Sequence, residues 1–119
     1  MPIADLGTVV LDCPDPAALA AFYAELLGGE VDASDDAWVD LKGVGVAMAF
    51  QKVPGHVPPQ WPDPARPQQF HLDLVVGDLD TAQKQALALG ATLLEDHGGR
   101  HGFRTFADPA GHPFCLCID

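Results

Sequence analysis

The sequence contains the same order of structural signals twice. In each half, an apolar strand-like segment leads into a helix that ends at a Leu-Gly pair, and several short strand-like segments follow. The two pairs, Leu27-Gly28 and Leu89-Gly90, lie about half of the 119 residues apart. A repeat of this length indicates two copies of one supersecondary unit. The pattern therefore predicts two equivalent modules, each built from one strand, one helix and three further strands.

The first half begins with a predicted strand over residues 6–12. Asp15-Pro16 then predicts a helix start, because Asp caps free backbone N–H groups and Pro is tolerated in the first turn. Apolar residues at helical spacing continue to Gly28-Gly29, where we expect the helix to end. Three strands are predicted after it, over residues 30–33, 37–42 and 44–52.

The second half repeats this order. A strand over residues 69–76 precedes a helix that Asp78 or Asp80 caps and Gly90 ends. Strands are then predicted over residues 91–95, 103–107 and 113–118. Residues 108–111, Asp-Pro-Ala-Gly, predict a turn between the last two strands, because Pro fixes φ at its second position and Gly closes it.

A proline-rich segment separates the halves. Residues 53–67 contain six prolines, and proline removes the donors that a strand ladder needs. We predict one domain over residues 1–119, with a first module at about 5–52, a connector at 53–68 and a second module at about 69–119.

Charge and composition exclude several partners. With 17 acidic and six basic residues the formal net charge is −11, whereas binding to nucleic acid or to an anionic membrane needs clustered Lys and Arg. Runs of apolar residues and glycine, such as residues 44–50, are far shorter than the ~20 residues of a membrane helix. No signal peptide is expected, and three cysteines fit a reducing compartment. We predict a cytoplasmic protein that binds a small molecule.

Alternation along the strands separates a core face from a face suited to a ligand cavity, because successive side chains point to opposite sides. The apolar faces pack under the helices. The opposite faces mix polar and small residues, which suits a cavity. They contain Thr8 in the first strand, His71 and Asp73 in the fifth, and Cys115 and Cys117 in the last.

Three segments resemble the vicinal oxygen chelate superfamily of glyoxalase-like proteins. They are TVVLDCPDPAALAAFYAELLG (Thr8 to Gly28), FHLDLVVGDLD (Phe70 to Asp80) and FADPAGHPFCL (Phe106 to Leu116). The resemblance covers essentially the whole chain. It implies an α+β fold class, in which two βαβββ modules form a curled mixed sheet shaped as a cup, the glyoxalase/bleomycin resistance/dihydroxybiphenyl dioxygenase fold. The superfamily includes glyoxalases, extradiol dioxygenases, epimerases and fosfomycin or bleomycin resistance proteins, so it leaves the reaction open.

The resemblance also implies a site. In metal-dependent members, a His at the position of His71 ligates a divalent metal together with a second His and one or two Glu. This chain has Thr8, Gln51 and Cys115 at the other positions, and a hydroxyl or amide is a weak ligand for hard cations. We expect no tightly bound divalent ion, with Zn, Ni, Fe or Mn at His71 as the alternative. The expected ligand cavity contains Thr8, Gln51, His71, Asp73 and Cys115.

The cysteines allow three interpretations. Cys115, Cys117 and His71 could supply a soft, zinc-like ligand set, because C-x-C in a strand puts both sulfurs on one face. Cys115 could instead be a nucleophile that His71 activates. In the third interpretation, both cysteines are small buried residues that fill the cup. Arg100 and Arg104 pair either with an anionic ligand or with surface carboxylates.

Two functions remain after these considerations. The first is a glyoxalase-like enzyme of unassigned substrate, of lyase, isomerase or oxygenase type, with a degenerate metal site and His71 as the best catalytic candidate. The second is a metal-free protein that binds or sequesters a small molecule, as bleomycin-resistance relatives do. The resemblance further implies a homodimer, in which a two-fold partner covers exposed edge strands.

Overall fold

The computed structural model describes residues 2–3, 5–99 and 101–118, and in them each half of the chain forms one four-stranded sheet with one helix. The first half contains β1 (Val9–Cys13), α1 (Pro16–Leu27), β2 (Glu30–Asp35), β3 (Trp38–Lys42) and β4 (Met48–Lys52). The second half contains β5 (Leu72–Val75), α2 (Leu79–Ala88), β6 (Thr92–Glu95), β7 (Phe103–Ala107) and β8 (Pro113–Cys117).

The two sheets have the same topology. Their strand orders are β1-β4-β3-β2 and β5-β8-β7-β6. In each sheet the first and last strands of the module are parallel and the other pairs are antiparallel. The predicted α+β class with two βαβββ modules is therefore confirmed. The chain divides into two compact units, residues 1–56 and 57–119. Within the described ranges, neither helix is long and apolar enough to cross a membrane.

The helix ends form where the sequence predicts them. The Asp15 carboxylate accepts a hydrogen bond from the Ala18 N–H at 3.2 Å, and the Gly28 N–H closes the helix on the Ala24 carbonyl at 2.8 Å. Of the two predicted caps for α2, Asp78 is the one used, because its Oδ1 accepts from the Asp80 N–H at 2.9 Å.

The core of the first unit forms between its sheet and α1. Leu11, Phe50 and Val39 are paired in register across three strands, and all three are buried. Tyr23 of α1 lies on this row, with its ring stacked at 5.7 Å from that of Phe50. Burial of such side chains contributes about 1.5–3 kcal/mol each.

The core of the second unit forms between its sheet and α2. Phe106 and Phe114 are fully buried, and their rings stack at 5.5 Å. Arg104 lies on the same face, and its guanidinium donates hydrogen bonds to two residues of α2, Asp80 Oδ1 at 2.8 Å and Gln83 Oε1 at 2.9 Å. Arg104 was predicted to pair either with an anionic ligand or with a surface carboxylate, and the structure supports the ion pair with a carboxylate. Arg100 lies outside the described residues.

Several strands are shorter than predicted. β1 begins at Val9 instead of residue 6, β4 at Met48 instead of residue 44, and β5 covers Leu72–Val75 instead of residues 69–76. The first ladder pair between β1 and β4 is Val9 with Met48. Residues 6–8 and 44–47 come before that pair and lie outside the two strands, so the predicted starts of β1 and β4 were wrong. β2 is longer than predicted and continues to Asp35.

The predicted turn between β7 and β8 depends on Asp108. This residue is 4% exposed, and its Oδ1 accepts from the backbone N–H groups of Ala110 at 2.8 Å and His112 at 3.0 Å. The Gly111 N–H donates to the Asp108 carbonyl at 2.9 Å, which closes the turn.

We expect Asp108→Ala to lower the free energy of unfolding by about 1–3 kcal/mol, because it leaves buried donors without their acceptor. Urea denaturation measures the change. Asp63→Ala is the matched control: Asp63 Oδ1 also accepts a backbone N–H, from Ala65 at 2.8 Å, but at an exposed position. Its effect should stay within about 0.5 kcal/mol, and equal losses for both variants would contradict the prediction.

Candidate functional site

A row of polar side chains crosses the second sheet, and we call it the polar row. Asp73 of β5 pairs in register with Cys115 of β8, Cys115 with Thr105 of β7, and Thr105 with Glu95 of β6. Residues adjacent to Cys115 in β8 point to the opposite face and are buried in the core. The four members of the row therefore share the face that α2 does not cover.

A histidine lies at each end of the polar row. His71 comes two residues before Asp73 and shares its face, with its Nε2 3.2 Å from Asp73 Oδ1. At the other end, His97 Nε2 lies 3.1 Å from Thr105 Oγ1, and the His97 N–H donates to Glu95 Oε1 at 2.9 Å. The His97 ring lies against Phe103, with centroids 4.3 Å apart.

Cys115 is the buried centre of the row. It is 5% exposed, and its Sγ lies 3.4 Å from Thr105 Oγ1. Burial raises the pKa of the Cys115 thiol; the Thr105 hydrogen bond opposes this and the Asp73 carboxylate adds to it. Burial followed by the Asp73 charge also raises the pKa of Cys117. Since the thiolate is the nucleophilic form, these surroundings disfavour the interpretation of Cys115 as a nucleophile.

His71, Asp73 and Cys115 form a cluster of possible ligands. Each offers one ligand atom, and the three atoms lie within 4.8 Å of one another. A nitrogen, an oxygen and a sulfur donor fit a borderline-soft cation such as Zn²⁺, which is bound by these three ligand types. The zinc-like set predicted from the sequence used Cys117 instead of Asp73. In the structure, the register of β5 and β8 places Asp73 beside Cys115.

The first unit contains the other two predicted cavity residues. Gln51 of β4 is exposed and lies level with Asp12 of β1 and Trp38 of β3. Thr8 is exposed and comes one residue before β1. The structure thus brings His71, Asp73 and Cys115 together within the second unit. That they share one cavity with Thr8 and Gln51 stays a prediction.

Sequence reasoning missed two members of the polar row, Thr105 and Glu95. Thr105 lies at the centre of a correctly predicted strand. Since it is next to the apolar Phe106, strand alternation could have placed its side chain on the face opposite the core. Glu95 was not recoverable in this way, because a register irregularity between Leu93 and Glu95 shifts the pattern of β6. A bulge of this kind changes which face the following side chain takes.

Comparison with protein families identifies the chain. The model of the glyoxalase-like domain matches residues 8–117, so the chain belongs to the glyoxalase-like domain family. The resemblance to the vicinal oxygen chelate superfamily is thereby confirmed. A comparison with curated proteins gives no match.

Solved structures with the same fold include enzymes of this group. A glyoxalase/bleomycin resistance protein/dioxygenase family enzyme from Burkholderia phytofirmans PsJN is 19% identical with a TM-score of 0.76, over 97% of this chain and 98% of that chain. A glyoxalase-related enzyme from Fulvimarina pelagi is 21% identical with a TM-score of 0.71, over 98% and 89%. The oxidase ChaP-H2 is 24% identical with a TM-score of 0.66, over 99% and 95%. At these identities the similarity shows the fold.

The surroundings of Cys115 predict its reactivity. In a Cys117→Ser background, the pH midpoint for alkylation of Cys115 by iodoacetamide should lie above the ordinary thiol range, because burial and the Asp73 carboxylate raise the pKa of its thiol. Asp73→Asn removes the negative charge and should lower that midpoint, while burial still holds it above the ordinary range.

Peptide mass spectrometry follows the alkylation of each cysteine. Asp63→Asn removes a carboxylate from an exposed turn of the connector and should leave the midpoint unchanged. A midpoint that stays the same or rises in Asp73→Asn would show that Asp73 does not act on this thiol.

Proposed function

We propose that this chain is a cytoplasmic small-molecule enzyme of lyase, isomerase or oxygenase type, with a degenerate metal site. The observation that carries the proposal is the grouping of an imidazole, a carboxylate and a thiol on one face of the second sheet. The side chains of His71 and Asp73 are 41% and 62% exposed, so a bound molecule can reach them. General acid–base catalysis commonly uses side chains that exchange protons and face the bound substrate.

His71 and Asp73 are suited to moving a proton. When His71 Nε2 carries its proton, it donates to Asp73 Oδ1 across the observed 3.2 Å. That bond fixes the tautomer and leaves Nδ1 free to take a proton from a bound molecule. The carboxylate also holds the ring in this orientation, as in other His–Asp pairs.

Cys115 and Thr105 support this pair. The protonated Cys115 thiol lies beside the carboxylate, and the Thr105 hydroxyl holds the sulfur from its other side at 3.4 Å. We assign both residues a positioning role. A divalent metal bound in the cluster would supply Lewis-acid polarisation of a substrate oxygen.

The named relatives favour an enzyme over a sequestering protein. Similar structures include a glyoxalase-related enzyme and an oxidase. At 21% and 24% identity, these structures support only the general class, an enzyme, and no particular reaction. The reaction itself has to be found by experiment.

Untargeted mass spectrometry tests the proposal without a known substrate. Wild-type protein incubated with a metabolite extract should consume at least one compound and form a matching product. His71→Ala and Asp73→Asn should slow that conversion by about 100-fold or more, the size of a general acid–base contribution. Asp63→Asn, in the connector, should keep it. A compound that is retained but never converted would favour the metal-free sequestering function instead.

Elemental analysis tests the degenerate metal site. We expect protein prepared without added metal to contain well below one divalent ion per chain. Of the ligand positions that the resemblance implies, only His71 carries a matching residue, and the hydroxyl of Thr8 and the amide of Gln51 are weak ligands for hard cations. About one Ni, Zn, Fe or Mn per chain would contradict this expectation.

We also propose a homodimer. β5 is an edge strand of its sheet, and the Val75 side chain is 70% exposed. Exposed edges with apolar residues are normally covered, and a two-fold partner is one way to do it. Light scattering at micromolar concentration should give twice the 12.6 kDa of the chain. A monomer mass would contradict the proposal.

A further inference from the structure

We propose that His97 is a second proton-transfer residue of this chain, with Nδ1 as the atom that accepts a proton from a bound molecule. This inference rests on the proposed function and adds to it a residue from the end of the polar row opposite His71. Three observations carry it: the backbone conformation of His97, the contacts that fix its side chain, and the direction of the hydrogen bonds along the row.

His97 has a backbone conformation that is uncommon for a residue with a Cβ atom. Its φ is +57°, and among the described residues no other non-glycine residue has a positive φ. Gly98 and Gly99 follow with φ values of +65° and +71°. A glycine at position 97 would adopt this conformation without strain. Backbone geometry therefore does not account for a histidine here, and strained positions of this kind cluster at functional sites.

Three contacts fix the orientation of His97. Its ring lies against Phe103 with centroids 4.3 Å apart, and its Nε2 is 3.1 Å from Thr105 Oγ1. Its backbone N–H donates to Glu95 Oε1 at 2.9 Å. Within the described part of the chain, Nε2 is hydrogen-bonded and Nδ1 is not. The residue is half-buried, so its ring is held in place and stays accessible.

The direction of the hydrogen bonds in the polar row assigns the tautomer of His97. The Thr105 hydroxyl has one proton and two neighbours, His97 Nε2 at 3.1 Å and Cys115 Sγ at 3.4 Å. On the other side of Cys115 lies the Asp73 carboxylate, which can only accept. The Cys115 thiol donates to this carboxylate and accepts from Thr105. The Thr105 proton is thereby used, so the Thr105 oxygen accepts from His97 Nε2–H.

Both ends of the row then have the same proton arrangement. Nε2 of His97 carries the proton and Nδ1 carries a lone pair, as in the His71–Asp73 pair, where Nε2 lies 3.2 Å from the carboxylate. In the proposed step, Nδ1 of His97 forms an N–H bond with a proton of the bound molecule. The molecule keeps the electron pair of the broken bond. Return of that proton to the product restores the neutral imidazole.

The spacing of the strands gives the two histidines different parts of the bound molecule. His71 acts from the β5 side of the row and His97 from the β7 side, with β8 between them. Two inter-strand spacings are about 10 Å. A molecule that contacts both imidazoles is therefore roughly 10 Å long, and neither histidine can replace the other.

Nitrogen-15 NMR of the histidine side chains tests the tautomer in the full-length protein without a substrate. Above the ordinary titration range of histidine, at about pH 8.5, His97 should have a protonated Nε2 and an unprotonated Nδ1. Its Nε2 proton should exchange slowly enough with water to be observed, because it is bonded to Thr105. Thr105→Ser keeps the hydroxyl and should keep this signal, whereas the isosteric Thr105→Val should lose it. A protonated Nδ1, or a signal that persists in Thr105→Val, would overturn the assignment.

The compound that wild-type protein consumes from the metabolite extract tests the proton transfer. His97→Asn removes the imidazole and keeps a residue that tolerates a positive φ. We expect kcat to fall about 100-fold or more, the size of a general acid–base contribution, with KM little changed. His101→Asn is the matched control, because His101 is an exposed histidine of the same turn, with its ring 6.2 Å from that of His97. It should keep kcat, and circular dichroism checks the folding of both variants.

The outcomes separate this inference from the proposed function. An unchanged kcat in His97→Asn would overturn the role of His97 and leave the function of His71 intact. Equal losses in His97→Asn and His101→Asn would assign the effect to the turn and overturn that role as well. If wild-type protein consumes no compound, the proposed function fails and the proton transfer by His97 fails with it, whereas NMR still decides the tautomer.

Discussion

Parallel pairing between β5 and β8 is the constraint on which the second unit depends. The two strands are joined through α2, β6 and β7, and their ladder sets Asp73 opposite Cys115 and Leu74 opposite Leu116. Because side chains alternate, this register sends the leucines towards the core and the polar pair to the other face. A slip by one residue would exchange the two sets, which would bury a carboxylate and expose the aromatic core.

The two sheets have the same topology but carry different side chains on comparable faces. In the first sheet, Asp12, Gln51 and Trp38 lie level across β1, β4 and β3. The Trp38 Nε1–H donates to Asp40 Oδ1 at 3.1 Å. In the second sheet, a carboxylate, a thiol and a hydroxyl occupy such a row, with a histidine at each end. The backbone arrangement is shared, so the difference between the two faces comes from side chains alone.

The electrostatics of the cluster narrow its chemistry. A carboxylate next to a buried sulfur keeps the thiol protonated, as does burial itself. This disfavours a free thiolate nucleophile, which needs a nearby positive charge. The same carboxylate lies 3.2 Å from His71 Nε2 and can orient the imidazole ring through that contact.

The sequence alone determined the elements and their order. Asp15, Pro16 and Gly28 define α1 through local hydrogen bonds and backbone preferences, and the turn at residues 108–111 is equally local. Alternation also placed His71 and Asp73 on one face, since that requires only the period of a strand.

Only the tertiary structure decided which strands are level with one another. The start of β1 at Val9 depends on where Met48 provides a partner, and the placement of Asp73 beside Cys115 depends on the β5–β8 register. The bulge before Glu95 depends on the pairing of β6 with β7. Such features are set by hydrogen bonds between residues far apart in the chain, and a local pattern of apolar and polar residues carries no information about that alignment.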